Sequence, residues 1–140
     1  MMCFNFKTMK YFFFTVILAF VVTYSFSQSE KEKGYVDVSG LWVDSNSASF
    51  QNCYLIISQT GRNVVVAHYL EFDGTSMVEE GKGTVSGRKV VYKVKVTKAI
   101  PGWATSGTHY LELSEDGNTL RGAYKDAKGN TGPIVFKKKG

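Results

Sequence analysis

The two histidines of the chain, His68 and His109, are its most versatile chemical groups. Each has the same alternation parity as the aliphatic residues beside it, so both side chains are predicted to face the interior of one sheet. Two imidazoles near one rim could bind a metal ion or form hydrogen bonds to a ligand carboxylate or carbonyl. The sequence indicates no third metal ligand, so we expect no metal and no cofactor. Core histidines satisfied by neighbouring groups are the simpler alternative.

Four of the acidic residues form two pairs of sequence neighbours, Glu79-Glu80 and Glu115-Asp116. Neighbouring side chains diverge in a strand or turn, whereas paired-carboxylate catalysis needs two groups that face one space. We therefore expect all four acids to be solvated. The chain also lacks the hydrolase, zinc-protease and phosphate-loop motifs. We therefore predict that the protein is not an enzyme. Catalysis would require both histidines to share one cleft with a third polar group.

Cys53 and Trp103 are the other residues with chemical potential. Cys3 lies in the N-terminal apolar stretch, which leaves Cys53 as the single cysteine of the remaining chain. Its neighbours at 54–57 are mostly apolar, so we interpret it as a small buried residue rather than a reactive thiol or an intermolecular bridge. Trp103 follows a Pro-Gly pair in a predicted loop. It would form either a lid over a cavity or a plug in the packing of the loop.

Alternating apolar and polar residues indicate strands rather than helices. The pattern is clearest at 89–98, where valine and tyrosine of one parity alternate with lysine and threonine. Applied to the whole chain, it predicts eight strands, at residues 36–43, 53–59, 64–72, 76–85, 89–98, 108–113, 119–125 and 131–138. No stretch has a sustained apolar stripe of helical period, so the fold is predicted to be all-β.

Short turns connect the predicted strands, which favours an antiparallel up-and-down meander. Eight strands are enough to close into a small barrel without exposed edges. A two-sheet β-sandwich is the alternative, but it usually needs a long crossover connection, and none is visible. Gly81 and Gly83 within the fourth predicted strand indicate a bulge or sharp bend of the kind found at barrel corners.

Every second connection of a meander lies at the same end of the barrel. The turns at 60–63, 86–88 and 114–118 are tight, whereas both long loops, 44–52 and 99–107, fall at the opposite end. We expect that end to be an open mouth, the usual ligand site of small barrels. The predicted ligand-binding residues are those nearest this mouth: His68, Leu70, Val96, Trp103, His109 and Tyr124.

Residues 1–27 have the composition of a secretory signal peptide. Lys7 and Lys10 precede an apolar run, and the small residues Ser25 and Ser27 occupy the −3 and −1 positions of the predicted cleavage point after Ser27. An uncleaved N-terminal anchor is the alternative. The protein is therefore expected to be secreted or periplasmic, with no membrane segment in its mature form.

Residues 28–35 are polar and are predicted to be a disordered leader to a single domain at 36–140. Removal of the two signal-peptide lysines lowers the net charge from +5 to +3. The remaining lysines are dispersed, and this mild charge argues against a nucleic-acid partner.

Gly40-Leu41-Trp42, on the first predicted strand, resembles the G-x-W motif of the lipocalins and their calycin relatives. Those proteins are eight-stranded antiparallel barrels that mostly bind small hydrophobic molecules, and the resemblance implies the same fold and class of ligand here. It also implies that a basic residue from late in the chain packs over Trp42, for which Arg121 is the candidate. The motif covers three residues, and the similar strand plan extends over 36–138.

The sequence thus predicts a secreted, non-catalytic binding protein that holds a small, largely apolar ligand at the barrel mouth. The alternative is a protein-binding or inhibitory module with a filled core, whose two long loops contact a protein partner.

Overall fold

The computed structural model describes residues 34–45 and 50–140, so the predicted signal peptide and most of the predicted leader lie outside the described residues. The strands are β1 Gly40–Asp44, β2 Phe50–Thr60, β3 Asn63–Phe72, β4 Thr75–Ser86, β5 Lys89–Lys98, β6 Ser106–Leu113, β7 Thr119–Asp126 and β8 Thr131–Lys138. The described part is all-β, without a helix that could cross a membrane.

The strands close into a barrel. Each strand pairs antiparallel with the next, and β1 also pairs with β8. Trp42 lies opposite Lys138 in this closing pair. Beyond it, Lys139 N donates a hydrogen bond to Leu41 O at 2.9 Å. The predicted up-and-down barrel is confirmed, and the sandwich alternative is wrong because no sheet edge remains between β1 and β8.

The start of the first strand differs from the prediction. A strand is predicted over 36–43, but β1 begins at Gly40. The preceding residues, 34–39, form a separate stretch that we call the floor segment, which includes the last two residues of the predicted leader. Val38 in this segment is fully buried and Val36 packs on the core, so their alternation reflects burial and not strand pairing.

The floor segment lies against the end of the barrel that carries the tight turns. Val36 N donates to Gly87 O at 3.0 Å, in the turn between β4 and β5. The Gln59 amide, near the end of β2, accepts from Val38 N at 2.9 Å and donates to Val36 O at 3.0 Å. The segment therefore closes this end, and the opposite end, which carries the β1–β2, β3–β4, β5–β6 and β7–β8 connections, is the mouth.

The interior is filled with side chains from the floor segment to the middle of the barrel. Trp42, Tyr92 and Phe136 are each at most 1% exposed, and every strand contributes to the packing around them. The core consists of Val38, Trp42, Leu55, Ile57, Val64, Val66, Val85, Val90, Tyr92, Val94, Leu111, Leu113, Leu120, Ile134 and Phe136. A closed barrel of eight strands is narrow enough to be filled in this way.

Trp42 is held by a hydrogen bond and a cation. Its Nε1 donates to Val38 O at 3.0 Å, and the Lys138 ammonium lies 5.5 Å from the ring centroid, within range of a cation–π interaction. Arg121 does not take this position. It is exposed and lies opposite Glu112, so the expectation that Arg121 packs over Trp42 is wrong. The register of the closing strands brings Lys138 there instead.

Two glycines of β4 allow the backbone of β5 to approach closely. A Cβ added to Gly83 would lie 1.9 Å from Val91 O, and one added to Gly81 would lie 2.7 Å from Lys93 O. Pairing between β4 and β5 continues without a break through both residues. The glycines therefore mark tight packing within the barrel wall, and the bulge of this strand pair lies elsewhere.

Candidate ligand site at the mouth of the barrel

A cavity of about 190 Å³ lies inside the mouth, which we call the mouth cavity. Strands β1 to β8 all border it, together with the β5–β6 connection. All six residues predicted to bind a ligand line this one cavity: His68, Leu70, Val96, Trp103, His109 and Tyr124. Alternation parity and loop length were therefore sufficient to predict that these six residues lie around one cavity.

One wall of the cavity is apolar and aromatic. A second hydrophobic cluster, separate from the core, forms it; this mouth cluster contains Phe50, Cys53, Leu70, Phe72, Met77, Val96, Ile100 and Trp103. The Trp103 ring centroid lies 5.1 Å from that of Phe72 and 6.1 Å from that of Phe50. Trp103 packs against these two rings and also lines the cavity, and its role as a lid stays a prediction. Cys53 is buried, and burial raises the pKa of its thiol.

A chain of four buried polar side chains also reaches the cavity, and it consists of His68, Glu79, His109 and Tyr92. Nδ1 of His68 lies 2.9 Å from Oε1 of Glu79. The same oxygen lies 3.6 Å from Nε2 of His109. Nδ1 of His109 lies 2.9 Å from the hydroxyl of Tyr92. All four residues are less than a tenth exposed, so these contacts are shielded from water.

One arrangement of hydrogens satisfies every contact of this chain. Burial raises the pKa of Tyr92 well above its usual value, so its hydroxyl stays protonated and can donate to Nδ1 of His109. The Nε2–H of His109 then faces Glu79, and Nδ1–H of His68 donates to the same carboxylate. His68 Nε2 is left as an acceptor, and it is buried with no hydrogen-bond partner among the described residues.

His109 is neutral at physiological pH in this environment. Burial is the main cause and lowers its pKa from 6.5 to about 4, against the opposing effect of the Glu79 charge. A neutral imidazole does not compensate a buried carboxylate. His109 therefore adds no positive charge beside Glu79.

Glu79 is a candidate site residue that was not predicted from the sequence. It was expected to be solvated, but it is 5% exposed, so that expectation is wrong; Glu80, on the outer face, is exposed as predicted. Met77 and Val85 of β4 have the same parity as Glu79 and are buried too, and this alternation was the available signal. The pairing register shifts between Val78 and Glu79, so the bulge of this strand pair lies beside the carboxylate.

Two more carboxylates border the cavity near the rim, those of Asp44 and Asp126. Asp126 organises the β7–β8 turn, because Oδ1 accepts from Asn130 N at 2.9 Å and from Lys128 N at 2.8 Å. The hydrogen bond from the Asn130 side-chain amide, together with these backbone hydrogen bonds, lowers the pKa of Asp126. Asp126 is therefore charged at neutral pH. The lining contains no lysine or arginine.

Two kinds of chemistry can be compared with this geometry. Glu79 is the third polar group that catalysis would need beside the two histidines, yet the lining offers no evident nucleophile activated by them, and the lack of enzymatic activity stays a prediction. Within residues 34–45 and 50–140, no group of three or more histidine, cysteine or acidic residues is arranged to hold a metal ion. The polar chain leaves one buried nitrogen, Nε2 of His68, without a partner among the described residues.

No protein-family model matches the chain, and no similar sequence is found among curated proteins. What the chain has in common with small barrels is therefore its eight-stranded, antiparallel, closed fold.

Proposed function

We propose that this protein is a lipocalin-like binding protein that holds a small, largely apolar molecule in the mouth cavity and catalyses no reaction. The supporting observation is that the barrel is packed at its floor but keeps a cavity with an aromatic wall at its mouth. The signal-like N-terminal sequence supports a secreted or periplasmic location.

The volume of the cavity limits the ligand. Drug-sized ligands occupy pockets of about 300–1,000 Å³, whereas a dry engineered cavity of about 150 Å³ binds benzene. The mouth cavity, at about 190 Å³, lies near the lower of these sizes. A single-ring compound fits inside, and a longer ligand would have to extend through the mouth.

Toluene binding tests the proposal. We expect isothermal titration calorimetry to show saturable binding, because a benzene ring fits the cavity and packs on the mouth cluster. Trp103→Ala should weaken this binding at least about fivefold, since it removes an aromatic wall. Tyr110→Ala is the matched control: Tyr110 is 50% exposed on the outer face of β6, and its loss should leave the affinity unchanged.

Two results would contradict the proposal. One is the absence of saturable binding with toluene and with other single-ring compounds. The other is an affinity in Trp103→Ala equal to that of the parent protein, which would place the binding outside the mouth cavity.

A protein-binding or inhibitory role is the second candidate, because the floor half of the barrel is solidly packed and the cavity is small. In that case the β5–β6 connection would contact the partner. Failure of every small-molecule titration, together with a partner lost on substitution of the exposed Pro101 or Thr105, would favour it.

A further inference from the structure

We infer that the ligand of the mouth cavity is an organic cation, a small aromatic or aliphatic amine whose protonated nitrogen binds at Glu79. This inference rests on the proposed function and assigns the chemical class of its ligand. It follows from the acidic lining, from the one unpartnered ring nitrogen of the polar chain and from the aromatic wall.

Three acidic side chains, those of Asp44, Glu79 and Asp126, line the cavity, and no lysine or arginine accompanies them. Two rim lysines, Lys98 and Lys128, are exposed and donate to Ser76 Oγ and to the Gly102 carbonyl. A carboxylate ligand would therefore enter a cavity of its own charge, whereas an ammonium ion would be attracted to it.

The buried polar chain leaves one ring nitrogen without a partner among the described residues, Nε2 of His68. The Glu79 side chain is 6% exposed, and the groups that face its Oε1 are two imidazoles. A ligand ammonium beside Glu79 would form a charge-assisted hydrogen bond with this carboxyl group. Nε2 of His68, buried and without a partner among the described residues, is an acceptor for a second N–H of the ligand.

The aromatic wall suits the remainder of such a ligand. Phe50 and Trp103 line the same cavity as Glu79, and Tyr124 lines it from β7. These rings can bury the apolar part of an amine, and their faces attract a cation that has lost its water. The faces of these rings do not attract an anionic group. The aromatic wall and the acidic lining therefore favour the same class of ligand.

Three probes of one shape test the inference: benzylamine, toluene and benzoate, titrated into the protein by calorimetry at pH 7.5. We expect benzylamine to bind at least about tenfold more tightly than toluene, as a partly buried ion pair would give, and benzoate to bind most weakly. Glu79→Gln, which keeps the shape of the side chain, should abolish the preference for benzylamine. Glu80→Gln removes the neighbouring exposed carboxylate and should leave the preference intact.

The outcomes separate the inference from the proposed function. Equal binding of toluene and benzylamine, or tightest binding of benzoate, overturns the amine assignment while leaving the cavity as a binding site. Binding of none of the three overturns both. If Glu79→Gln does not fold, NMR of the parent protein decides: benzylamine must shift the His68 imidazole and Trp103 indole resonances, and an unchanged His68 signal contradicts the inference.

Discussion

His109 is buried between the Tyr92 hydroxyl and the Glu79 carboxylate, and this position sets its protonation. Its pKa in the folded protein is about 4, below the value of 6.5 for an exposed histidine. Between these values the unfolded chain binds a proton that the folded protein does not. The free energy of unfolding therefore rises with pH through this window and falls as the pH decreases through it.

We predict that stability falls by about 3 kcal/mol between pH 7 and pH 4 on account of His109, from the size of its pKa shift. Urea unfolding at several pH values measures this change. His109→Gln, which keeps a group able to bond the Tyr92 hydroxyl, should remove most of the loss over the same interval. Carboxyl groups such as Asp126 titrate in both proteins and cancel in the comparison. An identical pH dependence in the two proteins would contradict the account of His109.

Some residues of the site were predictable and one was not. Parity along β3, β5, β6 and β7 was enough to place His68, Val96, His109 and Tyr124 around one cavity. Glu79 was missed because the two glycines that follow it on the same face interrupt the apolar alternation of β4. Its contacts with two imidazoles depend on the relative positions of three strands, which no local pattern contains.

At the scale of elements, the floor segment depends on one side chain. The Gln59 amide bonds the backbone of Val38 and Val36 and also donates to Gly61 O at 2.9 Å. It therefore ties the floor segment to the end of β2 and to the turn that follows it. The same segment supplies the carbonyl that bonds Trp42, so its position affects the core.

We predict that Gln59→Ala lowers the free energy of unfolding by about 2 kcal/mol, because buried backbone groups of the floor segment lose their partners. Ser58→Ala, one residue earlier on the exposed face, is the control and should change it by less than about 0.5 kcal/mol. Urea unfolding measures both. Hydrogen exchange should show faster exchange at the Val38 amide in Gln59→Ala, and unchanged protection there would contradict this role for Gln59.

The strands themselves were well predicted because period-2 alternation and turn residues are local signals. Asp73-Gly74 forms the β3–β4 turn as expected, with both residues at positive φ. Residues 36–39 of the floor segment fit the pattern of a strand because Val36 and Val38 alternate in the same way. Alternation reports which side chains are buried, and the partner of each backbone group is decided by tertiary contacts.

At the scale of the whole molecule, the barrel has two different halves. The floor half contains the large buried rings of Trp42 and Phe136 and is filled by the core. The mouth half contains the mouth cluster and the cavity, and the buried polar chain extends from the cavity lining to Tyr92 in the core. One small domain thus combines a stabilising core with a cavity at its mouth.

The polarity of the barrel followed from the lengths of its connections, but the size of the cavity did not. A meander places alternate connections at the same end, so the position of the mouth was predictable from sequence. The free volume depends on how rings such as Phe50 and Trp103 pack, to within a few tenths of an ångström. That packing is a property of the assembled barrel.

Methyl NMR during titration with toluene and benzylamine shows whether a small molecule binds inside the mouth. We expect saturable shifts at the cavity methyl groups of Leu70, Met77 and Val96, with little change at Val64, Val90 and Leu120 of the core. Binding in the mouth cavity would be contradicted by the absence of saturable shifts with either compound. Shifts centred instead on the exposed outer-face residues Ile56 and Val65 would contradict it equally.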